Sequence, residues 1–590
     1  MLKRYFISTL GSLTAIWISV MLVIILGMMF AIGSITSTLT STKTIVNVNP
    51  NSILYLNLEN TIEERNSTSD IYSILNNEPQ PQSLSNIVTA IQTAKNDDDI
   101  VGLYIACNGS TSGVATKEAI REAIIDFKES GKWVVAYGDM FSQGDYYVAT
   151  AADEIYMNPV GMLDIHGMAS GIPFFKGLLD KVGVDMQIVK VGTFKSAVEP
   201  YTLTHMSEAN RLQTSIYLNS IWNGIVSSIS ESRGITPTEI NLIADSLKTM
   251  EDATEIVNMK LVNDLKYSNE ISDYLKKLTG TDEDDDLSLV NVTDYLNSGV
   301  EIAHQKSRKD KIAIYYAYGD ITENGKDGIA SDRVVPDILK LAENDDINAM
   351  VLRVNSGGGS AFASEQIWHA LEYFKSKGKT LYVSMGDYAA SGGYYISCGA
   401  DQIFAQPFTL TGSIGIFGMI PCAKELITDK LGVNVDFVTT NANSAMSGIV
   451  EPLTTFQLKK LQQHVNRGYE LFTERVATGR HTTQDSIKAI AEGRVWDGVT
   501  AHKIGLVDQL GSLTDAIQAL AEAKGYLNYE VVEYPNMEAS FWDIVSEIGY
   551  QAKAEMIEHE LGAIYPLYKN AKEITQLDYI QARMETTIVE

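Results

Sequence analysis

The feature that most constrains the fold of this chain is an internal repeat. The segment DFKESGKWVVAYGDMFSQGDYYVATAADEIYMNP, which starts at Asp126, aligns with YFKSKGKTLYVSMGDYAASGGYYISCGADQIFAQP, which starts at Tyr373. Residues of the first copy that meet an identical residue in the second are Lys128, Gly131, Tyr146, Tyr147, Ala152, Asp153 and Pro159. Each copy alternates strand-like apolar runs with helix-compatible segments. The sequence therefore predicts two tandem copies of one α/β unit.

The length and composition of the chain allow more than one domain. Its 590 residues are 45% hydrophobic, which is enough to bury large cores. The acidic run TDEDDD between the copies is interpreted as a solvated connection. The tail has helical periodicity and is expected to pack against a neighbour, with membrane-surface contact as the alternative. We divide the chain into a cytoplasmic stub and transmembrane anchor (1–40), a first repeat (45–295), a second repeat (300–530) and a helical C-terminal extension (531–590).

The N-terminus contains a long uncharged run, LGSLTAIWISVMLVIILGMMFAIGSI, from Leu10 to Ile35. About 20 apolar residues in a helix cross a bilayer, whereas a cleaved secretory signal has a shorter apolar region. We therefore favour a membrane anchor over a cleavable signal. Lys3 and Arg4 precede the run, and positive residues stay on the cytoplasmic side. The rest of the chain is expected to lie across the membrane, outside the cytoplasm.

The charge and the cysteine content exclude several classes of function. A formal net charge of -28 argues against a nucleic-acid partner, because such a chain does not neutralise a phosphate backbone. The cysteines, Cys107, Cys398 and Cys422, are too few and too scattered for a disulfide framework or a thiolate zinc site. We interpret them as buried thiols. No cofactor and no metal ion are predicted.

The candidate nucleophile is Ser391, in the segment MGDYAASGGYYIS of the second copy. An apolar run, a small-Ser-Gly-Gly turn and a helix-compatible segment predict a strand, a sharp turn and a helix. Such a turn exposes the serine hydroxyl and leaves the N–H of Gly392 free to face a carbonyl. A second glycine turn, Gly357 to Gly359, also follows a strand, and the two turns are expected to flank one pocket. A plain turn and a phosphate loop are the alternatives, but the motifs of a phosphate loop are absent.

Aligning the two copies shows a reciprocal loss of polar residues. Ser391 falls opposite Gln143, so the first copy lacks the hydroxyl. In return, the first copy has Lys195 in VGTFKSAVEP, and the second has Asn443 at the matching position. A serine hydroxyl needs an adjacent base, and a lysine serves if burial lowers its pKa. The pattern predicts that Lys195 is this base, with a solvated surface lysine as the alternative.

The sequence resembles the signal peptide peptidase A family, also called protease IV, in its long two-repeat, membrane-anchored form. The matching motifs are VGTFKSAVEP, NSGGGS, GDYAASGGYYIS, LTGSIGIFG and EGRVWDGVTAHKIGLVDQLGS. The resemblance covers nearly all of the chain outside the anchor and the tail. It implies an α/β fold with two tandem crotonase-like repeats, as in the proteolytic subunit of Clp protease, and an N-terminal transmembrane helix.

The resemblance also implies roles for individual residues. Ser391 matches the family's nucleophile, Lys195 its general base, and Ser413 a serine that hydrogen-bonds the lysine. The family usually has proline where this chain has Gly357, and this loss loosens the turn. The expected oxyanion donors are the N–H groups of Gly358 and Gly392. The histidines lie outside the matched motifs, so a Ser-His-Asp triad has no support.

The function that this resemblance implies is a membrane-bound serine endopeptidase. Its substrates are expected to be hydrophobic peptides, including signal peptides left in the bilayer after secretion. By the same resemblance we expect a homotetramer in the bacterial inner membrane, with a single membrane pass and the catalytic domains on the extracytoplasmic side. The alternatives are a crotonase-like enzyme that acts on a CoA thioester and a non-catalytic membrane scaffold of the same fold.

Overall fold

The computed structural model describes residues 48–65, 81–302, 310–325, 327–536 and 580–584, together with the single residues 17, 19, 21, 557, 561 and 562. The predicted anchor, residues 1–40, therefore lies almost wholly outside the described part of the chain. Among the residues that are described, no helix is both long enough and apolar enough to cross a bilayer.

The first copy alternates strands and helices, as the repeat predicts. Its central strands are apolar along their whole length because helices cover both faces of a parallel sheet. In chain order the elements are β1 (Ser52–Leu58), β2 (Ile62–Glu63), β3 (Gln82–Ser83), α1 (Leu84–Lys95), β4 (Ile100–Cys107), α2 (Val114–Lys128), β5 (Trp133–Phe141), α3 (Gln143–Ala149), β6 (Glu154–Leu163), α4 (Lys176–Val182), β7 (Asp185–Lys190), α5 (Glu199–Thr202), α6 (Glu208–Arg233), α7 (Pro237–Asp245), a 3-10 turn (Lys248–Met250), α8 (Ala253–Asn258), β8 (Asp264–Leu265), α9 (Ser268–Thr279), β9 (Leu289–Asn291) and α10 (Val292–Asn297).

The second copy follows the same plan. Its elements are β10 (Lys311–Tyr318), β11 (Ile321–Thr322), β12 (Ile329–Ala330), α11 (Ser331–Glu343), β13 (Ala349–Ser356), β14 (Gly358–Ser360), α12 (Ala361–Ser376), β15 (Thr380–Ala390), α13 (Gly392–Ser397), β16 (Gln402–Ala405), β17 (Leu410–Gly412), β18 (Phe417–Cys422), a π-helical turn (Leu426–Lys430), α14 (Thr455–Gly479), α15 (Gln484–Ile490), β19 (Val495–Asp497), α16 (Gly498–Lys503), β20 (Gln509–Leu510), α17 (Leu513–Lys524) and β21 (Glu530–Tyr534). One further strand, β22 (Ile580–Arg583), lies near the C-terminus.

Local signals in the sequence account for the ends of the long helices. The side chain of Ser207 accepts a hydrogen bond from Asn210 N at the start of α6, and the helix ends at Gly234, which has the left-handed conformation that glycine adopts without strain. Thr454 and Gln457 form a reciprocal capping box at the start of α14. These caps fix where each long helix begins and ends.

Each copy builds one main sheet, and the two sheets have corresponding strand orders. The first is β8-β6-β5-β4-β1-β9, and the second is β19-β17-β15-β13-β10-β21, with β16 paired to β15 and β20 paired to β16. The pairs β1–β4, β4–β5, β10–β13 and β13–β15 are all parallel. The prediction of two tandem α/β units is thereby confirmed. The sequence also predicted a helical extension from residue 531, but β21 and β22 show that two segments of it are strands.

A third sheet contains strands from both copies. Its order is β12-β11-β14-β22-β18-β7. Strand β7 of the first copy pairs antiparallel with β18 of the second, from Lys190 opposite Phe417 to Asp185 opposite Cys422. This pairing places the first-copy segment that leads to Lys195 against the second copy. Strand β22 lies between β14 and β18 and pairs antiparallel with both.

Buried charged groups also connect the copies. The guanidinium of Arg353 on β13 donates to both carboxylate oxygens of Glu64, at 2.9 and 3.0 Å, with both side chains almost completely buried. Asp387 on β15 accepts hydrogen bonds from the backbone N–H and the hydroxyl of Thr116, at 3.0 and 2.6 Å. A buried bidentate pair of this kind fixes orientation as well as distance. The relative position of the two copies is thus set by contacts close to the end of β15, where Ser391 follows.

Candidate active site

Ser391 lies at a sharp turn between β15 and α13. Its φ of 55° and ψ of -112° are values that a residue with a side chain rarely adopts. The surrounding backbone holds it there, since Ser391 N donates to Gly412 O at 2.8 Å and Tyr395 N donates to Ser391 O at 2.8 Å. The strained turn directs the hydroxyl out of the strand and away from the helix, towards Lys195.

Lys195 is close enough to Ser391 to exchange a proton with it. The Nζ of Lys195 lies 2.6 Å from Ser391 Oγ, 3.0 Å from Ser413 Oγ and 3.1 Å from Ser413 O. The whole residue is 1% exposed, and burial holds the pKa of the amine well below its ordinary value of 10.5. A neutral amine has two N–H groups and one lone pair, which match these three neighbours. The N–H groups are donated to Ser413, and the lone pair is left to accept the Ser391 proton.

The loop that carries Lys195 is held by the second copy. Phe194 N donates to Glu492 O at 2.9 Å, and Gly493 N donates to Ile414 O at 2.9 Å. A Cβ on Gly493, which has a φ of +76°, would lie 2.6 Å from Lys195 Cβ. Only glycine fits this position without a shift of the lysine. The motif EGRVWDG therefore contributes a close backbone contact with the site rather than a reactive side chain.

Ser413 occupies a second strained turn, at the end of β17. Its φ is 49°, and its N–H donates to Arg494 O at 2.7 Å. This conformation directs both its hydroxyl and its carbonyl to the same lysine amine. The structure thus brings together Ser391, Lys195 and Ser413, the residues that the sequence singled out. Gly358 and Gly392 lie beside them.

The two glycine turns are in direct contact. Gly358 has a φ of +103°, and a Cβ there would lie 2.7 Å from Gly392 N and 2.0 Å from Ala582 O. However, the Gly358 N–H is already donated to Ser356 Oγ, at 3.1 Å. Met584 N donates to Gly357 O at 2.8 Å, and hydrogen-bonded pairs alternate along an antiparallel ladder. The next pair is therefore Gly359 with Ala582.

The oxyanion role of Gly358 and Gly392 therefore stays a prediction. In the first turn, the Gly358 N–H is donated to Ser356 Oγ, whereas Gly359 lies opposite Ala582 in the ladder. The Gly392 N–H has no acceptor among the described residues. The two tyrosines after the nucleophile are buried: Tyr394 donates its hydroxyl to Leu506 O, and Tyr395 stacks on Phe472. They belong to the core that supports the turn.

The corresponding site of the first copy lacks the serine nucleophile, and its polar groups are hydrogen-bonded to one another. Gln143 replaces the nucleophile, and its side-chain oxygen accepts hydrogen bonds from the N–H groups of His166 and Gly167. The carboxylate of Asp145 accepts the N–H groups of Gly109 and Ser110, both at 3.0 Å. A cavity of about 390 Å³ remains beside these residues. The alignment already contained this signal, because Asp145 stands where the second copy has glycine.

Comparisons with known proteins agree with this fold and site. The profile of Peptidase family S49 matches residues 126–282 and 373–526, which fall in the two copies. The profile of the Clp protease family matches residues 319–409, which include β13, β15 and Ser391. Both profiles describe peptidases.

Relatives of known sequence match large parts of the chain. "Protease 4" of Haemophilus influenzae is 34% identical over 582 residues, 95% of this chain and 94% of the relative. "Serine protease SPPA, chloroplastic" of Arabidopsis thaliana is 30% identical over 86% of this chain and 74% of its own length. "Putative signal peptide peptidase SppA" of Enterococcus faecium is 31% identical over 41% of this chain and 72% of its own length.

These likenesses and the two α/β repeats define a serine peptidase. The chain belongs to peptidase family S49, in a form that contains two copies of the family's fold. The alternative of a CoA-thioester enzyme has no counterpart among these matches, which name proteases.

Proposed function

We propose that this protein is a membrane-bound endopeptidase in which Ser391 is the nucleophile and Lys195 the general base, and that its substrates are hydrophobic peptides such as cleaved signal peptides. The observation that carries the proposal is the distance of 2.6 Å between Lys195 Nζ and Ser391 Oγ at a fully buried amine. A neutral lysine next to a serine hydroxyl provides the adjacent base that nucleophilic catalysis requires.

The geometry supports a complete acyl-transfer cycle. Neutral Lys195 accepts the Ser391 proton while Oγ attacks the scissile carbonyl. The N–H groups of Gly359 and Gly392 stabilise the oxyanion that forms, because preorganised donors in a site without water are effective. The resulting ammonium, held by the Ser413 hydroxyl and carbonyl, then protonates the leaving amine. Lys195 next activates a water molecule that hydrolyses the acyl-enzyme, which restores the serine and the neutral lysine. Ser413 is a positioning residue in this cycle.

A peptide-cleavage assay with single and mixed variants tests this assignment. Ser391→Ala and Lys195→Ala should each abolish turnover, and the double variant should be scarcely worse, because residues that act as one unit do not contribute additively. Both side chains come from one chain here, so a mixture of the two single variants should stay inactive. Substantial activity in the mixture would show that the site is shared between chains, and activity in Ser391→Ala would remove the nucleophile from the proposal.

The substrate class rests on the name of the Enterococcus faecium relative and on the small, apolar surroundings of the site. Ala389 and Ala390, which lead directly into Ser391, are small, apolar and buried. A peptide-library profile should favour leucine, alanine or similar residues before the cut. A preference for lysine, arginine or aspartate at that position would contradict the proposed substrate.

The membrane location rests on the uncharged run from Leu10 to Ile35 and on the positive residues before it. Deleting residues 1–40 should give a protein that no longer needs detergent. Protease added to intact spheroplasts should digest the large domain, as expected for catalytic domains outside the inner membrane. A domain that is digested only in inverted vesicles would reverse the orientation.

The internal repeat supports a homo-oligomer with head-to-tail contacts. Strand β7 pairs with β18, whereas the second-copy counterpart of β7, residues 434–439, forms no strand. In and next to this segment, Val433, Val435, Phe437 and Val438 are exposed. An exposed apolar segment of this kind is the contact that we propose between neighbouring molecules. A head-to-tail contact forms a ring when its rotation closes, and the family resemblance suggests a tetramer.

Mass measurement in detergent tests this arrangement. Phe437→Asp places a charge in the proposed contact and should shift the protein from a tetramer to smaller species. Leu527→Asp, a matched change at an exposed leucine elsewhere, should leave the mass unchanged. A tetramer that survives the Phe437 change, or a wild-type monomer, would contradict the proposed contact between neighbouring molecules.

A further inference from the structure

The C-terminal strand β22 occupies a groove in front of the active site. On one side it pairs antiparallel with β14, with Arg583 opposite Gly358, Ala582 opposite Gly359 and Gln581 opposite Ser360. On its other side Gln581 pairs with Phe417 of β18. Both edges of the short strand are therefore paired with the second copy, on either side of the groove.

The position of β22 relative to the reacting groups is that of a bound peptide. The carbonyl oxygen of Ala582 lies beside both glycine turns, since it would be 2.0 Å from a Cβ on Gly358 and 3.1 Å from a Cβ on Gly392. Ala582 itself is fully buried. With β22 in place, Ser391 also has no exposed surface. A substrate carbonyl must come to the same place, next to Ser391 and the N–H groups of the two turns.

The two strands that flank β22 form a site for an extended peptide main chain. Open strand edges bind such peptides through main-chain hydrogen bonds, while enclosed positions select the side chains. We propose that residues 580–583 are a built-in ligand of this peptide groove, so that the protein's own C-terminal strand competes with substrate for the active site. This inference rests on the proposed function, because it takes the groove beside Ser391 to be the substrate site.

The contacts of β22 make this occupancy reversible. The strand is only four residues long, and its one described ion pair, Arg583 with Asp320 at 3.2 Å, is partly exposed to solvent and contributes little. Its advantage over a free peptide is that it is tethered to the same chain, which gives it a high effective concentration. A substrate must displace it. The strand therefore raises KM without changing kcat.

Three altered forms of the protein separate competition by β22 from a general effect of the tail. The first ends at Tyr579 and lacks β22, the second ends at Met584 and keeps it, and the third carries Ala582→Trp in the complete chain. The enclosed position of Ala582 has no room for an indole, so this change should expel the strand. Thr586→Trp, beyond the strand, is the matched control. Intact mass should be checked first, so that each C-terminus is known to be present.

The kinetic result expected is a decrease in KM for an apolar peptide of about tenfold or more in the Tyr579 truncation and in Ala582→Trp. The kcat of these two forms should be unchanged. The Met584 truncation and Thr586→Trp should match the wild type in both KM and kcat. A synthetic peptide of residues 577–590 should inhibit the Tyr579 truncation competitively, and the same peptide with tryptophan in place of Ala582 should not. Equal KM values in all forms, with normal turnover, would overturn the inference.

A binding measurement keeps this test separate from the test of catalysis. In the Ser391→Ala background, which has no turnover, removing β22 should tighten the binding of a fluorescent apolar peptide by the same factor. If no form shows turnover but removing β22 still tightens peptide binding, the catalytic proposal fails and the proposal that β22 occupies the groove is retained. If the peptide binds equally with and without β22, the groove is not occupied by the strand.

Discussion

Replacing Lys195 by methionine should stabilise the fold near neutral pH while it abolishes activity. The amine is 1% exposed, and burial lowers its pKa well below 10.5 in the folded chain. The unfolded chain returns the amine to water, where it binds a proton. Folding at a pH between the two pKa values therefore requires a proton to be released. Each pH unit between the two pKa values corresponds to about 1.4 kcal/mol. Methionine is of similar size and carries no charge, so it avoids this cost.

The sign of the pH dependence follows from proton binding in the two states. Between the lowered pKa and 10.5, the unfolded wild type binds one more proton than the folded form, so its stability rises with pH. The methionine variant has no such group. Its advantage in free energy of unfolding should therefore shrink by about 1.4 kcal/mol for each unit of increasing pH. Below the lowered pKa, the difference should be constant. Lost hydrogen bonds to Ser413 add only a pH-independent offset.

Urea unfolding measures this slope, and all proteins compared should carry Ser391→Ala to prevent self-digestion. The lysine and methionine forms should be compared up to about pH 9.5, and the window in which the slope is expected runs from the lowered pKa to 10.5. Ser413→Ala removes a partner of the amine but no titrating group, so its effect on stability should not follow this slope. A difference between the lysine and methionine forms that is independent of pH across the window would refute a buried neutral lysine.

Three further substitutions test the surroundings of the site. Glu64→Leu leaves the Arg353 guanidinium buried without its carboxylate and should lower the free energy of unfolding by about 3–5 kcal/mol, whereas the double change Glu64→Leu with Arg353→Met should recover much of it in thermal melts. Gly358→Ala should lower kcat about a hundredfold or more with an unchanged circular dichroism spectrum, because the new Cβ meets Gly392 N as well as Ala582 O of β22, and an unchanged kcat would contradict the contact between the two turns. Gln143→Ala should leave kcat unchanged in the peptide assay, and a large loss would mean that the first copy takes part in the chemistry.

Much of the fold could be predicted because the repeat itself is local information. Apolar strand runs and glycine turns recur in both copies, and each pattern predicts its element without knowledge of distant contacts. Ser391 and Lys195 were found for the same reason, since each copy lacks the residue that the other has. Their roles in catalysis remain predictions. What the structure adds is that the two side chains lie 2.6 Å apart within one chain.

The remaining features depend on contacts between residues far apart in sequence. The pairing of β7 with β18 joins segments separated by more than two hundred residues, and no local pattern specifies it. Strand β22 lies in a tail with helical periodicity, but its conformation is set by the open edges of β14 and β18 rather than by propensity. The choice between the Gly358 and Gly359 N–H groups depends on Ser356, whose hydroxyl accepts the first. Sequence patterns do not contain such backbone geometry.

The most direct test of the central claim, that Lys195 activates Ser391, is the rate at which a fluorophosphonate probe modifies Ser391 as a function of pH. The modified residue should be identified by peptide mapping. In the wild type, the rate should rise as the pH passes through the lowered pKa of Lys195, because the neutral amine is the active base. Lys195→Arg should not be labelled, since a guanidinium does not lose its proton at working pH. Labelling of Lys195→Arg at the wild-type rate, with the same pH profile, would contradict the claim.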